Sequence, residues 1–160
     1  MKNGVLALAV LISMGMTSTA QAKQDVCVFD LLGKAGESYK MMEEWRLAAK
    51  GWNADIQLIA YQNEERADED FKAGKCDAVY MTTMRARSYN KFAGSVDALG
   101  GVPSNAIAQK AIIYVLDKRN IKRLKTNIDG VDYEVGGIGQ IGPAYIFVKD
   151  KRINTIEKGV

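Results

Sequence analysis

The sequence predicts an α/β fold in which helices flank a mainly parallel β-sheet. Three compact apolar runs, at residues 26–32, 56–61 and 76–81, have the length and composition of strands that are buried on both faces. Segments with helical periodicity separate these runs, which is the pattern of consecutive βαβ units. Crossovers of this kind are right-handed and place helices against the faces of the sheet.

The first half of the chain has clear element boundaries. A loop bounded by glycines at residues 33–36 follows the first strand, and a helix is expected from about residue 38 to residue 50. After the second strand, Asn63 can cap a helix whose first turn is acidic, and Gly74 is placed to end it. The buried stripe of the first helix is predicted from helical spacing. Its members are Met41, Met42, Trp45, Ala48, Ala49 and Trp52.

The second half has weaker boundaries. A short helix is expected over residues 83–92, and Ser104 can cap a longer helix that runs to about residue 117. The apolar end of that longer segment could alone form a strand, but its length and its preceding alanines favour a helix. Two further strands are predicted at residues 133–138 and 144–148.

The N-terminus has the pattern of a cleavable signal peptide. Lys2 supplies the positive charge, residues 5–16 form an apolar run, and residues 17–22 end in an Ala-x-Ala cleavage pattern. A transmembrane anchor is the alternative, but spanning a membrane takes about 20 apolar residues and this run is shorter. We therefore expect residues 1–22 to be removed on export and residues 23–160 to function in the periplasm.

The charge balance does not indicate a nucleic-acid partner. The chain has 22 Lys and Arg residues against 19 Asp and Glu residues, a net charge of +3. Nucleic-acid binding requires a concentrated basic face. The one basic cluster, at residues 118–125, is expected to cap a helix end and to face water.

The composition also disfavours catalysis. The chain contains no histidine, which excludes Ser-His and Cys-His nucleophiles and the common histidine-based zinc sites. Two cysteines cannot form an all-cysteine tetrahedral metal site, and no G-K-[ST] nucleotide loop occurs. The chain therefore resembles a binder without catalytic residues, cofactor or metal. Adjacent carboxylates are expected on solvated helix surfaces. These are Glu43 with Glu44, Glu64 with Glu65, and Asp68 with Asp70.

The two cysteines are placed to form a disulfide. Cys27 lies near the start of the first predicted strand and Cys76 at the start of the third. These strands are commonly neighbours in doubly wound sheets, so the cysteines would lie near disulfide distance. An oxidising compartment would keep such a bridge. A structural disulfide is the favoured interpretation, two buried thiols are the alternative, and the lack of a C-x-x-C motif disfavours a redox site.

The candidate ligand site is the edge of the sheet at which the strands end. Ligands of open α/β sheets bind beyond the carboxyl ends of the strands, near helix N-termini. This rule selects the segments at residues 30–37, 61–63 and 81–87. The candidate ligand-binding residues are Arg85, Asp30, Thr82, Thr83, Arg87, Lys34, Glu37 and Tyr61.

Each of these candidates also has an ordinary structural alternative. Arg85 ranks first because a guanidinium can hold a carboxylate by two parallel hydrogen bonds, and a solvated arginine in a first helical turn is its alternative. Asp30 can bind a ligand amine, pair with Lys34 or cap the loop. Thr83 can act as a helix N-cap, and Tyr61 can simply pack. The mixture of charges favours an anionic or zwitterionic ligand.

Several segments resemble those of bacterial periplasmic solute-binding proteins. The resemblance is strongest to the type II group, which includes the receptors of TRAP-type transporters. Its F-x-x-G-x-x-D element, which leads into the third strand in such proteins, begins here at Phe71. The segments are VCVF (26–29), GKAGE (33–37), IQLIAY (56–61), FKAGKCDAVYMT (71–82) and GPAYIFVKDKRINTIEKG (142–159).

The resemblance implies that residues 23–160 are the first lobe of a type II periplasmic binding protein, truncated before the second lobe. Such a protein binds a small solute without catalysis and delivers it to inner-membrane transporter subunits. Its contact with the membrane is then only through this partner. An arginine that these receptors often contribute from the second lobe is not part of the sequence.

Two other functions are expected as alternatives. Some proteins of similar sequence are labelled as RND-type efflux components linked to aminoglycoside resistance. A pump needs membrane-spanning helices, so the alternative for this chain is a periplasmic accessory of such a system. The second alternative is a one-domain protein that dimerises to complete its site. A single lobe exposes apolar cleft surface and an unpaired sheet edge, both of which favour association.

Overall fold

The structure is a computed structural model that describes residues 22–97, 102, 104–142 and 152. The leader predicted at residues 1–22, apart from its last residue, lies outside the described residues, as does the strand predicted at 144–148. The described chain divides into a parallel-sheet unit in its first half and a small helix-and-hairpin unit in its second half.

Three parallel strands form the sheet, in the order β2-β1-β3. The strands are β1 (Gln24–Phe29), β2 (Ile56–Tyr61) and β3 (Ala78–Tyr80). In the central strand, Val28 lies opposite Ala60 of β2 and Tyr80 of β3. The α/β prediction with a parallel sheet flanked by helices is thereby confirmed. The order reverses at β1, so the carboxyl end of β1 is the natural centre of a ligand edge.

Two helices cover the two faces of this sheet. They are α1 (Glu37–Ala49), between β1 and β2, and α2 (Glu64–Lys72), between β2 and β3. Val26 and Val28 pack against Tyr39 and Ala49 on the α1 face. Because side chains alternate along a strand, Cys27 points to the opposite face, where α2 lies against β1.

The predicted buried stripe of α1 is partly wrong. Tyr39 and Ala49 are buried, with Met42 packed beside them. Trp45 is 43% exposed and Trp52 is 76% exposed. Trp45 lies to one side of the stripe that faces the sheet. Trp52 lies beyond the end of α1, in the short 3-10 helix Lys50–Trp52, so helical spacing counted from α1 does not apply to it.

The second half contains the predicted long helix and an unpredicted hairpin. α3 is Thr83–Ala86 and α4 is Asn105–Val115. Short 3-10 helices occur at Ala93–Asp97 and at Lys118–Arg123. The hairpin pairs β4 (Lys125–Ile128) antiparallel with β5 (Val131–Glu134). Of the strand predicted at residues 133–138, only residues 133 and 134 are in a strand, as the end of β5. The basic cluster forms the 3-10 helix Lys118–Arg123 after α4 and continues into the first residue of β4.

Contacts between residues distant in sequence stabilise this arrangement, both within the sheet unit and between it and the hairpin. Cys27 and Cys76 form the predicted disulfide, with their Cα atoms 5.8 Å apart. The ring of Phe71 on α2 lies 5.7 Å from that of Tyr89 and 5.8 Å from that of Tyr133 on β5. Because aromatic pairs at such separations stabilise packing, this group joins α2 to the hairpin.

Candidate functional site

The carboxyl edge of the sheet is organised by Asp30, the first residue after β1. Its side chain is buried, and its two oxygens accept hydrogen bonds from the amides of Leu32 (2.9 Å) and Tyr39 (3.2 Å). Tyr39 lies in the first turn of α1, where backbone amides lack intrahelical partners. The carboxylate therefore fixes the β1–α1 loop and caps α1 from a distance, which is the structural alternative considered for this residue.

Two charged candidates on this loop are free to meet a ligand. Lys34 and Glu37 are exposed, and within the described residues neither side chain takes part in an ion pair or hydrogen bond. They lie at either end of the turn that Asp30 holds. The same edge exposes the apolar side chains of Leu31 and Leu32, at 75% and 68%. An edge with apolar surface and a few uncommitted charges suits a small polar ligand.

Tyr61, at the end of β2, is tied to α2. Its hydroxyl donates to Asp70 at 2.9 Å, and Lys75 donates to the same carboxylate at 2.8 Å. Burial and the hydrogen bond to Asp70 raise the pKa of Tyr61. The hydrogen bonds from Lys75 and Tyr61 lower the pKa of Asp70. The hydroxyl of Tyr61 therefore holds α2 against the sheet through its hydrogen bond to Asp70.

Arg85 lies between two carboxylates of α2. Its guanidinium is 3.6 Å from Glu64 and 3.5 Å from Asp68. Glu64 also accepts a hydrogen bond from the amide of Thr82 at 2.6 Å. The charge of Arg85 is therefore already compensated, although its side chain remains 34% exposed. Its first role in this arrangement is to dock the segment after β3 onto α2.

Of the three other candidates after β3, Thr82 and Arg87 also have structural partners. Thr82 is the N-cap of α3, with its hydroxyl accepting from the amide of Arg85 at 3.4 Å. Thr83 is therefore the first helical residue and not the cap. Arg87 donates to the carbonyls of Gly94 and Asp97, each at 3.1 Å. Arg87 thus joins α3 to the following 3-10 helix.

The carboxylates of α2 are the site feature that the sequence reasoning missed. Asp68 and Asp70 are buried, at 4% and 8% exposure, and not on a solvated surface. Asp68 accepts hydrogen bonds from Lys72 (2.8 Å) and from the hydroxyl of Tyr89. The signal was available, because Glu64 and Asp68 share helical spacing with Ala67 and Phe71, which mark the inner side of α2.

Stability is expected to fall in acid through these carboxylates. Burial opposes the ionised form of Asp68, but hydrogen bonds from Lys72 and Tyr89 outweigh it and lower its pKa. A lowered folded-state pKa gives stability that is present above about pH 4 and is lost as the pH falls through the folded-state value. Urea unfolding from pH 7 to pH 3 should show this loss. Asp68→Asn should have a lower free energy of unfolding at pH 7, and that free energy should fall less between pH 7 and pH 3.

Glu65→Gln is the matched control for that measurement. Glu65 lies on the same helix but is exposed, and within the described residues its side chain takes part in no hydrogen bond or ion pair. This variant should retain the acid limb of the unmodified chain. If Asp68→Asn lost as much stability in acid as the unmodified chain, the loss would come from another group.

Among the described residues, one cavity lies away from the carboxyl edge of the sheet. It has a volume of about 330 Å³ and is lined by α1 and by the first residues of β2. Its charged lining residues are Lys23, Glu43, Arg46 and Asp55. In the part of the chain that the structure describes, no cluster of His, Cys, Asp and Glu could hold a metal ion. Nor is any helix there long and apolar enough to cross a membrane.

A parallel sheet with charged and apolar groups at its carboxyl edge has the architecture of α/β ligand-binding domains. Comparison with known proteins identifies the particular class. The family described as "Solute-binding protein AdeT 1/2" matches residues 41–160, and the chain belongs to this family. The "Probable solute-binding protein AdeT1" of Acinetobacter baumannii is 39% identical over 131 residues, which are 82% of this chain.

This alignment covers 42% of the relative's own length, so the chain spans less than half of the curated protein it matches. No solved structure is significantly similar to the chain. The family therefore supports solute binding, and the type II assignment remains a prediction from the resemblance alone.

Proposed function

We propose that this chain is the first lobe of a periplasmic solute-binding protein and contributes one wall of its ligand site. The wall is the carboxyl edge of the sheet, centred on the loop between β1 and α1. Binding there is non-catalytic, and the solute passes to inner-membrane transporter subunits. Family membership and the coverage of 42% of a relative named as a solute-binding protein support this proposal.

The proposal depends on a difference among the charged side chains at the β1–α1 loop, of which one is bound by backbone amides and two have no partner among the described residues. The carboxylate of Asp30 accepts hydrogen bonds from two backbone amides. The side chains of Lys34 and Glu37, on either side of the turn, are exposed to solvent. A rigid loop with uncommitted charges is preorganised, since its ordering cost is met during folding and not on binding. Charges that already have protein partners offer a ligand less.

A zwitterionic solute fits these two charges best. The ammonium of Lys34 can bind a carboxylate, and the carboxylate of Glu37 can bind an amine. Exposed Leu31 and Leu32 can cover an apolar part of the solute. Arg85 remains a candidate through its exposed fraction, but its pairing with Glu64 and Asp68 ranks it below Lys34 as a carboxylate ligand.

Lys34→Gln should weaken binding of the solute about tenfold or more. A hydrogen bond to a charged group contributes about 1.5–3 kcal/mol, and each 1.4 kcal/mol is about a factor of ten in affinity. Isothermal titration with α-amino acids, simple carboxylates and simple amines would identify the class of solute and then compare the variants. The stability of Lys34→Gln should not change, because the side chain is exposed.

Lys50→Gln is the control for Lys34→Gln. Lys50 is exposed and follows α1 at the opposite edge of the sheet, so its loss should leave affinity unchanged. Binding of amines without any binding of carboxylates would contradict the zwitterion proposal. An absence of saturable binding to all three probe sets would contradict the proposal that this edge of the chain binds a solute.

A further inference from the structure

We propose that the cavity between α1 and the start of β2 is a second binding site, which takes a small zwitterion such as a dipeptide. Its volume of about 330 Å³ is within the range of ligand sites in proteins, about 300–1,000 Å³. Lys23 and Asp55 line the cavity and directly precede β1 and β2, so they lie at the amino ends of these strands. The loop proposed to bind solute follows the carboxyl end of β1. The two sites are therefore distinct, and either can exist without the other.

The walls of this cavity are held in place by contacts within the fold. On one side, α1 contributes Tyr39, Glu43 and Arg46, whose spacing of four and three residues places them on one face of the helix. The first residues of β2 form the other side. The hydroxyl of Tyr39 donates to the carbonyl of Leu58 at 3.5 Å, and both Tyr39 and Ile56 are buried. Because the two walls are already joined, binding requires little further ordering of the protein.

The charged side chains that line the cavity have no protein partners. Among the described residues, none of these side chains takes part in a hydrogen bond or an ion pair. Two of them are cations and two are carboxylates, so the lining has no net charge. They are Lys23, Arg46, Glu43 and Asp55. Four uncommitted charges of both signs around one cavity can all be offered to a ligand.

Glu43 and Arg46 are unpaired although their spacing permits an ion pair. Opposite charges three residues apart are neighbours on a helix surface. Such a pair forms on α2, where Arg66 lies 3.2 Å from Glu69, even though its order of charges opposes the helix dipole. Glu43 and Arg46 have the favourable order and are half-buried, but within the described part of the chain they do not pair. Partial burial of an unpaired charge costs free energy, and a ligand with the opposite charges would recover it.

A lining of this kind selects a molecule that carries both charges. The guanidinium of Arg46 can hold a carboxylate by two parallel hydrogen bonds, and the carboxylate of Glu43 can accept hydrogen bonds from an ammonium. The helical rise of about 1.5 Å per residue separates these two positions by about 4.5 Å along α1, so one short molecule can meet both. Lys23 and Asp55 offer a second pair of charges on the strand side. A simple anion or cation would lie beside two charges of its own sign and should bind more weakly.

Titration of the ¹⁵N-labelled protein with glycylglycine, followed by NMR, tests this site. The amide signals of residues that line the cavity should shift and saturate. Arg46→Gln and Glu43→Gln should each raise the Kd for glycylglycine about tenfold or more, because each removes a hydrogen-bonded charge pair. The matched controls are Lys40→Gln and Glu44→Gln, which change exposed residues of α1 that do not line the cavity. Both controls should leave the Kd unchanged. Acetate and methylammonium should bind at least about tenfold more weakly than glycylglycine.

Lys34→Gln separates this site from the β1–α1 loop. It removes a proposed ligand-binding group of the loop and should leave the cavity signals and their Kd unchanged, whether or not the loop binds a solute. An absence of saturable shifts at the cavity, or shifts confined to the loop, would overturn the second site. A Kd that neither Arg46→Gln nor Glu43→Gln raises would overturn it too. Acetate or methylammonium that binds the cavity as tightly as glycylglycine would overturn its assignment to zwitterions.

Discussion

Reduction of the Cys27–Cys76 disulfide should lower the free energy of unfolding by about 4 kcal/mol. The bond joins β1 to the residue before β3 across a sequence separation of 49 residues. Closing a loop of that length removes chain entropy from the unfolded state worth about 4 kcal/mol. A loss of this size is a large fraction of the roughly 5–15 kcal/mol that stabilises most domains.

Urea unfolding with and without a reductant measures this effect. Cys27 and Cys76 are both buried, so reduction should act mainly on the unfolded chain, and Cys27→Ala/Cys76→Ala should lose at least as much stability. The reductant should have no further effect on that double variant, which controls for non-specific action. Equal urea midpoints for the oxidised and reduced protein would show that the bond does not stabilise this fold.

The disulfide also relates the fold to the compartment predicted for it. Disulfides persist in oxidising compartments and are rare in the cytosol. A protein that depends on this bond for most of its stability would mature only after export. Export itself is predicted from residues 1–22, and the dependence of stability on oxidation would be independent support for it.

The first half of the fold could be predicted because its signals are local. Asn63 caps α2, with its side chain accepting from the amide of Arg66 at 2.9 Å. Gly74, with a φ of 72°, ends the turn after α2 as glycine at that position predicts. β2 has the predicted bounds. Apolar runs, caps and glycines are each visible within a few residues of sequence.

The hairpin was missed although a local signal existed. Asp129 and Gly130 both have positive φ, 51° and 84°, which is the requirement of a two-residue hairpin turn and explains the Asp-Gly pair. The flanking strands gave only a weak signal, because Lys125–Ile128 lacks apolar alternation and the alternation of Val131–Glu134 extends over only four residues. Their exposure in the structure accounts for the weak pattern.

The partners of the site residues could not be predicted from local signals. Arg85 and Glu64 belong to different elements, and their contact depends on how α2 lies against the segment after β3. Spacing along one helix identifies a face, but it does not identify what that face meets. For this reason Arg85 ranks first among the candidates predicted from the sequence. In the structure it is paired with Glu64 and Asp68, so we rank it below Lys34 as a proposed ligand-binding residue.

Gly36→Ala should destabilise the protein by about 3 kcal/mol. Gly36 is the N-cap of α1, with a φ of −78°, so its backbone suits any residue and strain is not the cause. A Cβ atom at this position would fall well inside van der Waals contact with the carboxyl group of Asp30. Overpacking costs about 1–3 kcal/mol, and hydrogen bonds to a charged group contribute about 1.5–3 kcal/mol.

The carboxyl group cannot move aside cheaply, because it accepts from the amides of Leu32 and Tyr39. Gly51→Ala is the matched control, since an added Cβ at Gly51 meets nothing within 4 Å. It should be neutral, or slightly stabilising by up to about 1 kcal/mol. Equal urea midpoints for the two glycine variants would contradict the close contact.

A double-mutant cycle connects this contact to the proposed function. If Gly36 is required only for the space of the Asp30 carboxylate, Gly36→Ala should cost much less in an Asp30→Ala background than alone. Solute titration of the folded Gly36→Ala variant then tests the loop as a binding element. A shift of this turn displaces Lys34 and Glu37, so affinity should fall in Gly36→Ala and remain unchanged in Gly51→Ala. Lost stability with unchanged affinity would separate the loop from the solute site.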